Sequence, residues 1–414
     1  MTEACVRRGT CRLCGGADLT LILELTPTPP ANAFVPAEAL GKPQAVFPLD
    51  VAFCEGCGHV QLLDVVDPAV LFEDYVYVSG TSPVFVEHFR RYADALIELG
   101  RPVAGSLVVD IGSNDGTLLR AFKDKGFRVR GVDPARAIAE RATADGIPTR
   151  AAFFGSALAR EMIGEFGPAA IVTANNVYAH IDDLGGVTDG VCALLAPDGL
   201  FSFEVSYLGD VFTDTLFDTI YHEHLSYHSV RPLIPFLAAH GLELIEAVRV
   251  PTHGGSLRGI AQRSGGPRRA GDSVARILAY ERDLGLDRAA TFHAFAARIE
   301  ERKRDLAGLL AARKAQGRRI VGYGAPAKAT TLMYHFGLGR DALDYIVDDS
   351  PLKQGLYSPG LHVPVRPARA LEEDRPDDIV ILAWNFADPI MKKLQSHHQA
   401  GIRFIVPLPE VKLY

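Results

Sequence analysis

A dense group of ionisable side chains lies in residues 221–228, which read YHEHLSYH. Three histidines, two tyrosines and one glutamate occur in these eight residues, more than packing alone demands. A neutral imidazole is well suited to accept a proton near neutral pH, and a tyrosine or a second histidine can stabilise an oxygen that gains negative charge. The cluster therefore predicts removal of a proton from carbon to give a carbanion or an enolate.

Two other interpretations of this cluster remain open. On an extended segment His222 and His224 share one face and Glu223 takes the other, so the imidazoles and a carboxylate suggest a metal site. Outside this cluster the chain offers no helical His-x-x-x-His partner, which makes the metal site the weaker prediction. A cluster that serves only the packing of the fold is the third interpretation.

A strand, a glycine turn and the start of a helix are predicted in residues 107–119. The strand is a short apolar run with a β-branched centre, the pattern of a strand covered on both faces. Gly112 lets the backbone turn sharply and approach a ligand, and Asn114 or Asp115 can cap the helix. Asp110 and Asp115 make the turn acidic, which argues against a phosphate ligand and for one that carries cations or hydroxyls.

A second predicted strand ends in Asp133, about 20 residues further on, where an acid can hold the ribose hydroxyls of a nucleoside. Together with the Asp-x-Gly-x-x-x-Gly turn, this acid resembles the first motif of S-adenosylmethionine-dependent methyltransferases. That ligand carries a sulfonium and an ammonium group and no phosphate. The alternative is an ordinary glycine turn of an α/β protein with an aspartate on its surface.

Polar residues also follow the strand predicted at residues 169–174. Ligands in parallel sheets bind beyond the carboxyl ends of the strands, so we expect Asn175, Asn176 and His180 to face the same crevice as Gly112. The residues predicted to bind the cofactor are Asp110, Gly112, Asn114, Asp115, Asp133, Asn175 and Asn176.

The overall composition is that of a globular protein, with 414 residues, 48% hydrophobic and 22% charged. This length allows two or three domains. The sequence contains no run of eighteen apolar residues, so no membrane-spanning helix is expected. The first residues lack the apolar core of a signal peptide, and we therefore expect a cytoplasmic protein. The net charge of −7 argues against nucleic acid as the partner.

Four of the six cysteines form two Cys-x-x-Cys pairs, Cys11 with Cys14 and Cys54 with Cys57. A glycine follows each pair, so each pair reads as a knuckle in which a tight turn aims backbone N–H groups at the sulfurs. Four thiolates make a closed tetrahedral site, which predicts structural rather than catalytic zinc. Two redox-active pairs are the alternative.

Two loops are predicted to approach a bound substrate. Residues 71–83 are aromatic and then small and polar, so Tyr75, Tyr77 and Ser79 are candidates to contact a polar substrate. Residues 252–258 (THGGSLR) let the chain pass close to a ligand, which makes His253 a candidate as well. A packed linker and a simple hairpin turn are the respective alternatives.

A second strand, glycine turn and helix are predicted in residues 319–332, RIVGYGAPAKATTL. This turn lacks acids and carries Lys328, so its N–H groups and the helix start suit a pyrophosphate. The next strand ends in Asp348 and Asp349, which can take a ribose. The pattern departs from Gly-x-Gly-x-x-Gly and so disfavours NAD; an α/β domain used only for packing is the alternative. The predicted contacts are Gly322, Tyr323, Gly324, Ala325, Lys328, Asp348 and Asp349.

The combination of Cys-x-x-Cys pairs with DIGSNDG, YHEHLSYHS, THGGSLR and GYGAPAKA resembles one family over nearly the whole chain. This family is the sugar C-methyltransferases of antibiotic deoxysugar pathways, which methylate C-3′ of nucleotide-linked 4-ketosugars. The resemblance implies an α/β fold in three parts. These are a small zinc-binding domain (1–70), a Rossmann-like S-adenosylmethionine methyltransferase domain (71–268) and a C-terminal Rossmann-like domain that binds the nucleotide (269–414).

The resemblance also implies roles for individual residues. Cys11, Cys14, Cys54 and Cys57 match the zinc ligands of the family. Tyr75, His180, Tyr221, Glu223 and His224 match its catalytic pocket, with His224 as the general base and Glu223 orienting its ring. Tyr221 and His222 would contact the sugar, and His180 or a tyrosine would stabilise the enolate.

The substrate implied by the resemblance is a dTDP-linked 4-keto deoxysugar. A 3-amino-2,3,6-trideoxy sugar is favoured over one with a C-3′ hydroxyl, and the protein is expected to act as a monomer without nucleic acid or membrane partners. Two other classes remain open: an O- or N-methyltransferase of another small metabolite, and a non-catalytic nucleotide-binding protein.

Overall fold

The structure, a computed structural model, describes residues 4–72 and 83–414. The predicted contacts Tyr75, Tyr77 and Ser79 lie outside the described residues. Within the two described ranges, no helix combines the length and the apolar character that crossing a lipid bilayer requires.

The N-terminal region consists mainly of short antiparallel strands. Strand β3 pairs with β2 on one side and β4 on the other, while β1 pairs with β5 in a separate two-stranded sheet. The elements are β1 (Cys5–Arg7), β2 (Leu19–Thr28), β3 (Phe47–Cys54), β4 (Val60–Leu62), β5 (Asp64–Val66) and α1 (Pro68–Phe72).

The central region alternates strands and helices around a seven-stranded sheet. Its elements are α2 (Pro83–Gly100), β6 (Leu107–Ile111), α3 (Thr117–Lys123), β7 (Arg128–Asp133), α4 (Arg136–Ala144), β8 (Thr149–Ala151), α5 (Ser156–Phe166), β9 (Ala169–Asn175), α6 (Leu184–Leu194), β10 (Leu195–Ser206), α7 (Leu208–Thr213), β11 (Ser226–Tyr227), α8 (Val230–Ala239), β12 (Leu242–Val250) and β13 (Ser256–Arg263). The sheet order is β12-β13-β10-β9-β6-β7-β8, in which β13 runs antiparallel to the other six strands.

Strand β6 is buried along its whole length, as its apolar sequence predicts. Alternate residues of a strand point to opposite faces of the sheet. Val108 therefore packs in a core with Phe122 of α3, whereas Val109 packs in another core with Leu158 of α5. Helices on both faces fix β6, so the glycine turn that follows it is held at the carboxyl edge of the sheet.

The C-terminal region is a smaller sheet of the same kind. Its elements are α9 (Asp272–Leu284), α10 (Ala289–Ala315), β14 (Ile320–Tyr323), α11 (Ala329–Phe336), β15 (Ile346–Val347), β16 (Val365–Arg366), α12 (Ala370–Asp374), β17 (Asp378–Ile381), α13 (Ala387–Lys393), α14 (Gln395–Gln399), β18 (Arg403–Val406) and β19 (Lys412–Leu413). The order is β16-β15-β14-β17-β18-β19, parallel except for β19. The α/β fold class is confirmed.

Residues 217–228, which we call the bridging segment, connect the N-terminal, central and C-terminal regions. Strand β11 of this segment pairs with β4 and so completes the N-terminal sheet. The backbone of His228 bonds to that of Leu208 in the central region. The carbonyl of Ile220 accepts a hydrogen bond from the Thr331 hydroxyl of α11 at 2.8 Å. The reactive cluster predicted from the sequence is therefore held by three parts of the protein at once.

A buried ion pair joins the start of the bridging segment to the C-terminal region. The carboxylate of Asp218 is fully buried, lies 3.2 Å from the Lys328 ammonium and accepts a 2.6 Å hydrogen bond from the Trp384 indole. The ammonium also lies 4.1 Å from the centre of the Trp384 ring. Burial raises the pKa of Asp218 and lowers that of Lys328, while their mutual attraction opposes both shifts.

We expect replacement of either partner of this pair to destabilise the fold. Asp218→Asn or Lys328→Met leaves one buried charge without its counterion, which costs about 3–5 kcal/mol. The double variant removes both charges and keeps an acceptor for Trp384, so its loss should be much smaller than the sum of the single losses. Urea unfolding measures all three.

The exposed pair of Arg150 and Glu161 provides the control, since its side chains are 40% and 67% exposed. Glu161→Gln should change the free energy of unfolding by less than about 1 kcal/mol. Equal losses for Glu161→Gln and Asp218→Asn would contradict a stabilising role of the buried pair.

Candidate active site

His224 lies in a tight turn rather than in an extended segment. Its N–H donates to the carbonyl of Tyr221 at 2.8 Å, which bends the chain between the two residues. The expectation that His222 and His224 share a face of an extended strand is therefore wrong. The hydrogen bond within the turn, which the residue types did not reveal, sends the two imidazoles to different surroundings.

The ring of His224 is oriented by a backbone carbonyl. Its Nδ1 lies 2.7 Å from the oxygen of Thr219. A carbonyl can only accept, so Nδ1 carries the hydrogen of the neutral ring and Nε2 carries the lone pair. This is the tautomer that a general base needs, because the proton-accepting nitrogen is fixed by the bond at the other one.

Two other residues predicted for the catalytic pocket, Tyr221 and His180, lie beside this ring. The ring centroids of Tyr221 and His224 are 4.1 Å apart, and those of His180 and His224 are 4.9 Å apart. His180 ends the short 3-10 helix Tyr178–His180 that follows β9, so it reaches the cluster from the carboxyl edge of the central sheet.

Glu223 points toward the N-terminal region. Its side chain is 5% exposed and accepts a hydrogen bond of 3.3 Å from the amide of Asn32. Asn32 ends the proline-rich loop after β2, and the neighbouring Ala31 carbonyl accepts a hydrogen bond from Thr330 of α11. Asn32 did not stand out in the sequence, because a lone asparagine after prolines is the ordinary composition of a loop.

The remaining histidines of the cluster are buried in the fold. His222 is 1% exposed, its Nε2 lies 3.2 Å from the Phe47 carbonyl of β3, and burial lowers its pKa to about 4. His228 is fully buried between the rings of Tyr178 and His59, and burial lowers its pKa to about 4 as well. Part of the unusual composition thus serves packing, while Tyr221, Glu223 and His224 remain the candidates for chemistry.

The acidic turn after β6 is fastened by Asp133. Its carboxylate accepts hydrogen bonds from the backbone N–H groups of Asn114 and Ala135, both at 2.9 Å. Gly116 is the N-cap residue of α3, and Asp115 just before it accepts hydrogen bonds from the backbone N–H and the hydroxyl of Thr117. Asp133, which the sequence predicts to hold the ribose of a nucleoside, therefore also fixes the turn at which that nucleoside would lie.

Asp110 is buried beneath the same turn. It is 4% exposed and accepts a hydrogen bond of 2.6 Å from the Thr173 hydroxyl. Burial, assisted by the negative charge of Asp133, raises the pKa of Asp110 to about 7, and the bond from Thr173 opposes the shift. At neutral pH this carboxyl is therefore partly protonated.

The floor of the turn requires glycine. Gly112 has a φ of +67°, and a Cβ built there would lie 2.1 Å from a methyl carbon of Val177. Asn175 ends β9, Asn176 follows it, and the side-chain amide of Asn175 is buried without a partner among the described residues. A close backbone approach and unpaired amide atoms are the features that a polar ligand such as S-adenosylmethionine can use.

The second glycine turn repeats the arrangement of the first. The carboxylate of Asp348 accepts from the N–H groups of Ala325 at 2.6 Å and Ser350 at 2.8 Å. Gly324 has a φ of +87°, and a Cβ there would lie 2.6 Å from Ala383. The predicted N–H of Ala325 is thus already bonded within the protein.

The charged side chains predicted at this turn are also engaged. Lys328 pairs with Asp218, and Asp349 pairs with Lys393 at 2.6 Å while accepting from the Tyr323 hydroxyl. Gly322 lies within β14. The Lys328–Asp218 contact crosses more than a hundred residues of sequence, so a local pattern had no means of revealing it. His253 lies in the 3-10 turn Thr252–Gly254, and its side chain lies outside the described part.

The four predicted zinc ligands come together in the N-terminal region. Sulfur atoms of Cys11 and Cys57 are 3.6 Å apart, those of Cys14 and Cys54 are 3.5 Å apart, and all four lie within 4.8 Å of one another. A tetrahedral site with Zn–S bonds of 2.3 Å places sulfurs about 3.8 Å apart. The thiolates therefore fit Zn²⁺.

Comparison with protein families divides the chain into three matches. Residues 11–72 match a zinc binding domain, residues 85–247 match a methyltransferase domain, and residues 251–409 match the C-methyltransferase C-terminal domain. The chain is also 36% identical to the C-methyltransferase NovU of Streptomyces niveus over 403 residues, which covers 97% of this chain and 96% of that protein.

Solved structures resemble less than half of the chain. The magnesium protoporphyrin IX methyltransferase of Synechocystis PCC 6803 with bound SAM is 16% identical, covering 44% of this chain and 82% of its own, with a TM-score of 0.33. The PH0226 protein of Pyrococcus horikoshii OT3 is 15% identical, covering 45% and 95%, with a TM-score of 0.37. At these scores the likeness supports no conclusion about function.

We predict a pH dependence of stability that originates from Asp110. In the unfolded chain its pKa is near 4, so between about pH 4 and pH 7 the native state holds a proton that the unfolded state has lost. The resulting stability is present in full at low pH and is lost as the pH rises through 7. The unfolding free energy of Asp110→Asn minus that of the native protein should therefore increase from pH 5 to pH 8.

Urea unfolding at several pH values measures this difference. The surface variant Asp198→Asn serves as the control, because its side chain is exposed near the start of β10. A difference for Asp110→Asn that stays constant with pH would contradict the proposed burial of the proton.

We predict that loss of the zinc site weakens turnover more than cofactor binding. Cys14→Ser removes one ligand and should lower the metal content below one zinc per chain and reduce the melting temperature. The N-terminal sheet holds β11, so kcat should fall, while the central sheet should still bind S-adenosylmethionine. Metal analysis, calorimetry and turnover measure these effects, with Cys192→Ser as the control. Undiminished kcat after zinc loss would contradict the coupling.

Proposed function

This chain belongs to the family of S-adenosylmethionine-dependent sugar C-methyltransferases, and from that premise we propose a substrate and a mechanism. The substrate is a dTDP-linked 4-keto deoxysugar that receives a methyl group at C-3′, in antibiotic sugar biosynthesis. A 3-amino-2,3,6-trideoxy sugar is the favoured form. The single observation that supports this reaction best is the bond between the Thr219 carbonyl and Nδ1 of His224.

The first step is removal of the C-3′ hydrogen by His224. The C-4′ ketone acidifies this hydrogen, because the electrons left on carbon are delocalised onto the ketone oxygen. Nε2 accepts the proton, and the imidazolium that forms keeps its Nδ1–H bond to the Thr219 carbonyl. That bond becomes charge-assisted in the process, so it is stronger after the proton transfer than before it.

The oxygen of the enolate needs a hydrogen-bond donor as it gains charge. His180 and Tyr221 flank the base, with ring centroids 4.9 Å and 4.1 Å from that of His224. We assign Tyr221 to placing the sugar and His180, or a tyrosine, to the enolate oxygen. Glu223 directly precedes His224 in the same turn, and its buried carboxylate accepts a hydrogen bond from Asn32.

S-adenosylmethionine supplies an electrophilic methyl group when it is bound at the carboxyl edge of the central sheet. Asp133 and Asn114 would hold the ribose side of this ligand, and Asn175 with the Gly112 turn would hold the remainder. His180 follows the same edge, so the methyl donor and the sugar would meet in one crevice. In-line attack requires such a near-attack arrangement.

The nucleotide of the substrate would be bound by the C-terminal domain, residues 269–414. The turn Gly322–Ala325 and the acids Asp348 and Asp349 are the proposed contacts. Lys328 would reach a diphosphate only by sharing its charge with Asp218. Thr331 of α11 contacts the Ile220 carbonyl, so a nucleotide beside α11 would place its sugar close to the bridging segment.

We expect one member of a panel of dTDP-4-ketosugars, with either an amine or a hydroxyl at C-3′, to gain a single methyl group at C-3′. His224→Gln should lower kcat by about 10²–10⁴-fold, because proton abstraction loses its base. The same variant should stop exchange of the C-3′ hydrogen with deuterium from solvent. Mass spectrometry and NMR follow both reactions.

His240→Gln is the matched control, since His240 pairs with Asp189 through Nδ1 at 2.7 Å in another part of the central region. It should retain methyl transfer and exchange. Retention of both by His224→Gln would overturn the assigned base. A product methylated on oxygen or nitrogen, without hydrogen exchange, would overturn the proposed C-3′ reaction and favour another small-molecule methyltransferase.

A further inference from the structure

Arg12 lies between two zinc ligands, Cys11 and Cys14, yet its side chain turns toward the active site. It is 0% exposed. Its Nε donates to a carboxylate oxygen of Asp182 at 2.9 Å, and its Nη1 donates to the carbonyls of Leu62 at 2.5 Å and Leu225 at 3.1 Å. One guanidinium thus bonds to three separate stretches of the chain.

Two of these stretches carry the proposed catalytic histidines. Asp182 follows His180 by two residues, and Leu225 directly follows His224. The stretches also bond to each other, because the N–H of Leu225 donates to the carbonyl of Ala179 at 2.9 Å. Arg12 joins the same two stretches a second time, since it donates both to the carbonyl of Leu225 and to the carboxylate of Asp182.

The guanidinium suits this task because it is planar and offers several donors in a fixed fork. An ammonium in its place is a compact charge on a flexible stem. A buried cation is also costly unless hydrogen bonds satisfy it. Three acceptors engage Nε and Nη1 of Arg12, while its Nη2 is buried without a partner among the described residues, so moving the side chain away from these acceptors would add to that cost.

We propose that Arg12 is a positioning residue that sets the distance and orientation between His180 and His224. It would act through the backbone of Leu225 and the carboxylate of Asp182. The inference rests on the proposed role of His224 as base, and it gives the zinc knuckle a second task besides folding. The zinc knuckle at residues 11–14 would hold the backbone of Arg12 in place, so that its side chain reaches the segments that carry His180 and His224.

The side chain of Arg12 can be changed without removing the contact that holds its backbone. The N–H of Arg12 donates to the side-chain oxygen of Gln61 at 2.8 Å, and the amide of Gln61 donates to the Thr10 carbonyl. Both bonds involve backbone atoms of the knuckle. A substitution at residue 12 should therefore leave the thiolates in place.

The test compares Arg12→Met and Arg12→Lys with the native full-length protein loaded with zinc. Arg12→Met should keep one zinc per chain and bind S-adenosylmethionine within about twofold of native, while kcat falls roughly 10- to 100-fold with little change in KM. Arg12→Lys keeps the positive charge but loses the planar set of donors of the guanidinium. Its kcat should therefore lie between that of the native protein and that of Arg12→Met.

Arg8→Met is the matched control, because Arg8 bonds to the same Asp182 oxygen at 3.0 Å and is 27% exposed. It should keep native kcat. NMR of ¹⁵N-labelled histidine rings supplies a readout that does not depend on turnover. Arg12→Met should shift the ring signals of His180 and His224, assigned with His180→Gln and His224→Gln, and leave that of His240 unchanged.

The inference is overturned if Arg12→Met retains native kcat and native ring signals, or if Arg8→Met reproduces its losses. Failure of the proposed base is distinguishable, because His224→Gln would then retain hydrogen exchange while Arg12→Met still shifts the rings. Should Arg12→Met lose zinc, Asp182→Ala removes one of the same bonds away from the knuckle, because alanine offers no acceptor to Nε of Arg12. Shifted signals of both rings in that variant support the inference, and unchanged signals overturn it.

Discussion

The hydrogen bond between the Thr219 carbonyl and His224 is the constraint on which the rest of the structure depends. A backbone carbonyl can orient an imidazole only if its own segment is fixed, and a turn of four residues does not fix itself. The bridging segment gains its position from outside, through the Thr331 hydroxyl, the Phe47 carbonyl that His222 contacts, and the pairing of β11 with β4. The three domains therefore meet at the segment that carries the proposed base, His224.

The glycine turns at Gly112 and Gly324 are held in the same way, each by an aspartate at the end of the neighbouring strand. Asp133 and Asp348 each end or follow the second strand of their unit, and each accepts one N–H from the glycine turn and another two residues further along its own chain. The acid thus ties the turn to the neighbouring strand before any ligand arrives. A carboxylate oxygen has more than one lone pair, so these bonds leave capacity for ribose hydroxyls.

The sequence predicted well those features that depend on neighbours along the chain. Strand β6, the turn at Gly112 and the start of α3 at Thr117 follow from local rules, and so do the two knuckles once their cysteines are counted. The turn at residues 221–224 was not predicted, because tertiary contacts rather than residue preference decide between an extended and a bent segment. The pairing of Lys328 with Asp218 was equally invisible, since it joins distant parts of the chain.

Buried charges at the contacts between domains have a common physical consequence. The ion pair of Asp218 with Lys328 and the guanidinium of Arg12 are costly to bury, and apolar side chains of similar size would often give as much stability. Their bonds are directional, however, so they are satisfied in one relative placement of the domains and poorly in others. A reaction between two bound ligands needs that kind of precision, since an error of about 1 Å between reacting atoms can cost about 10²-fold in rate.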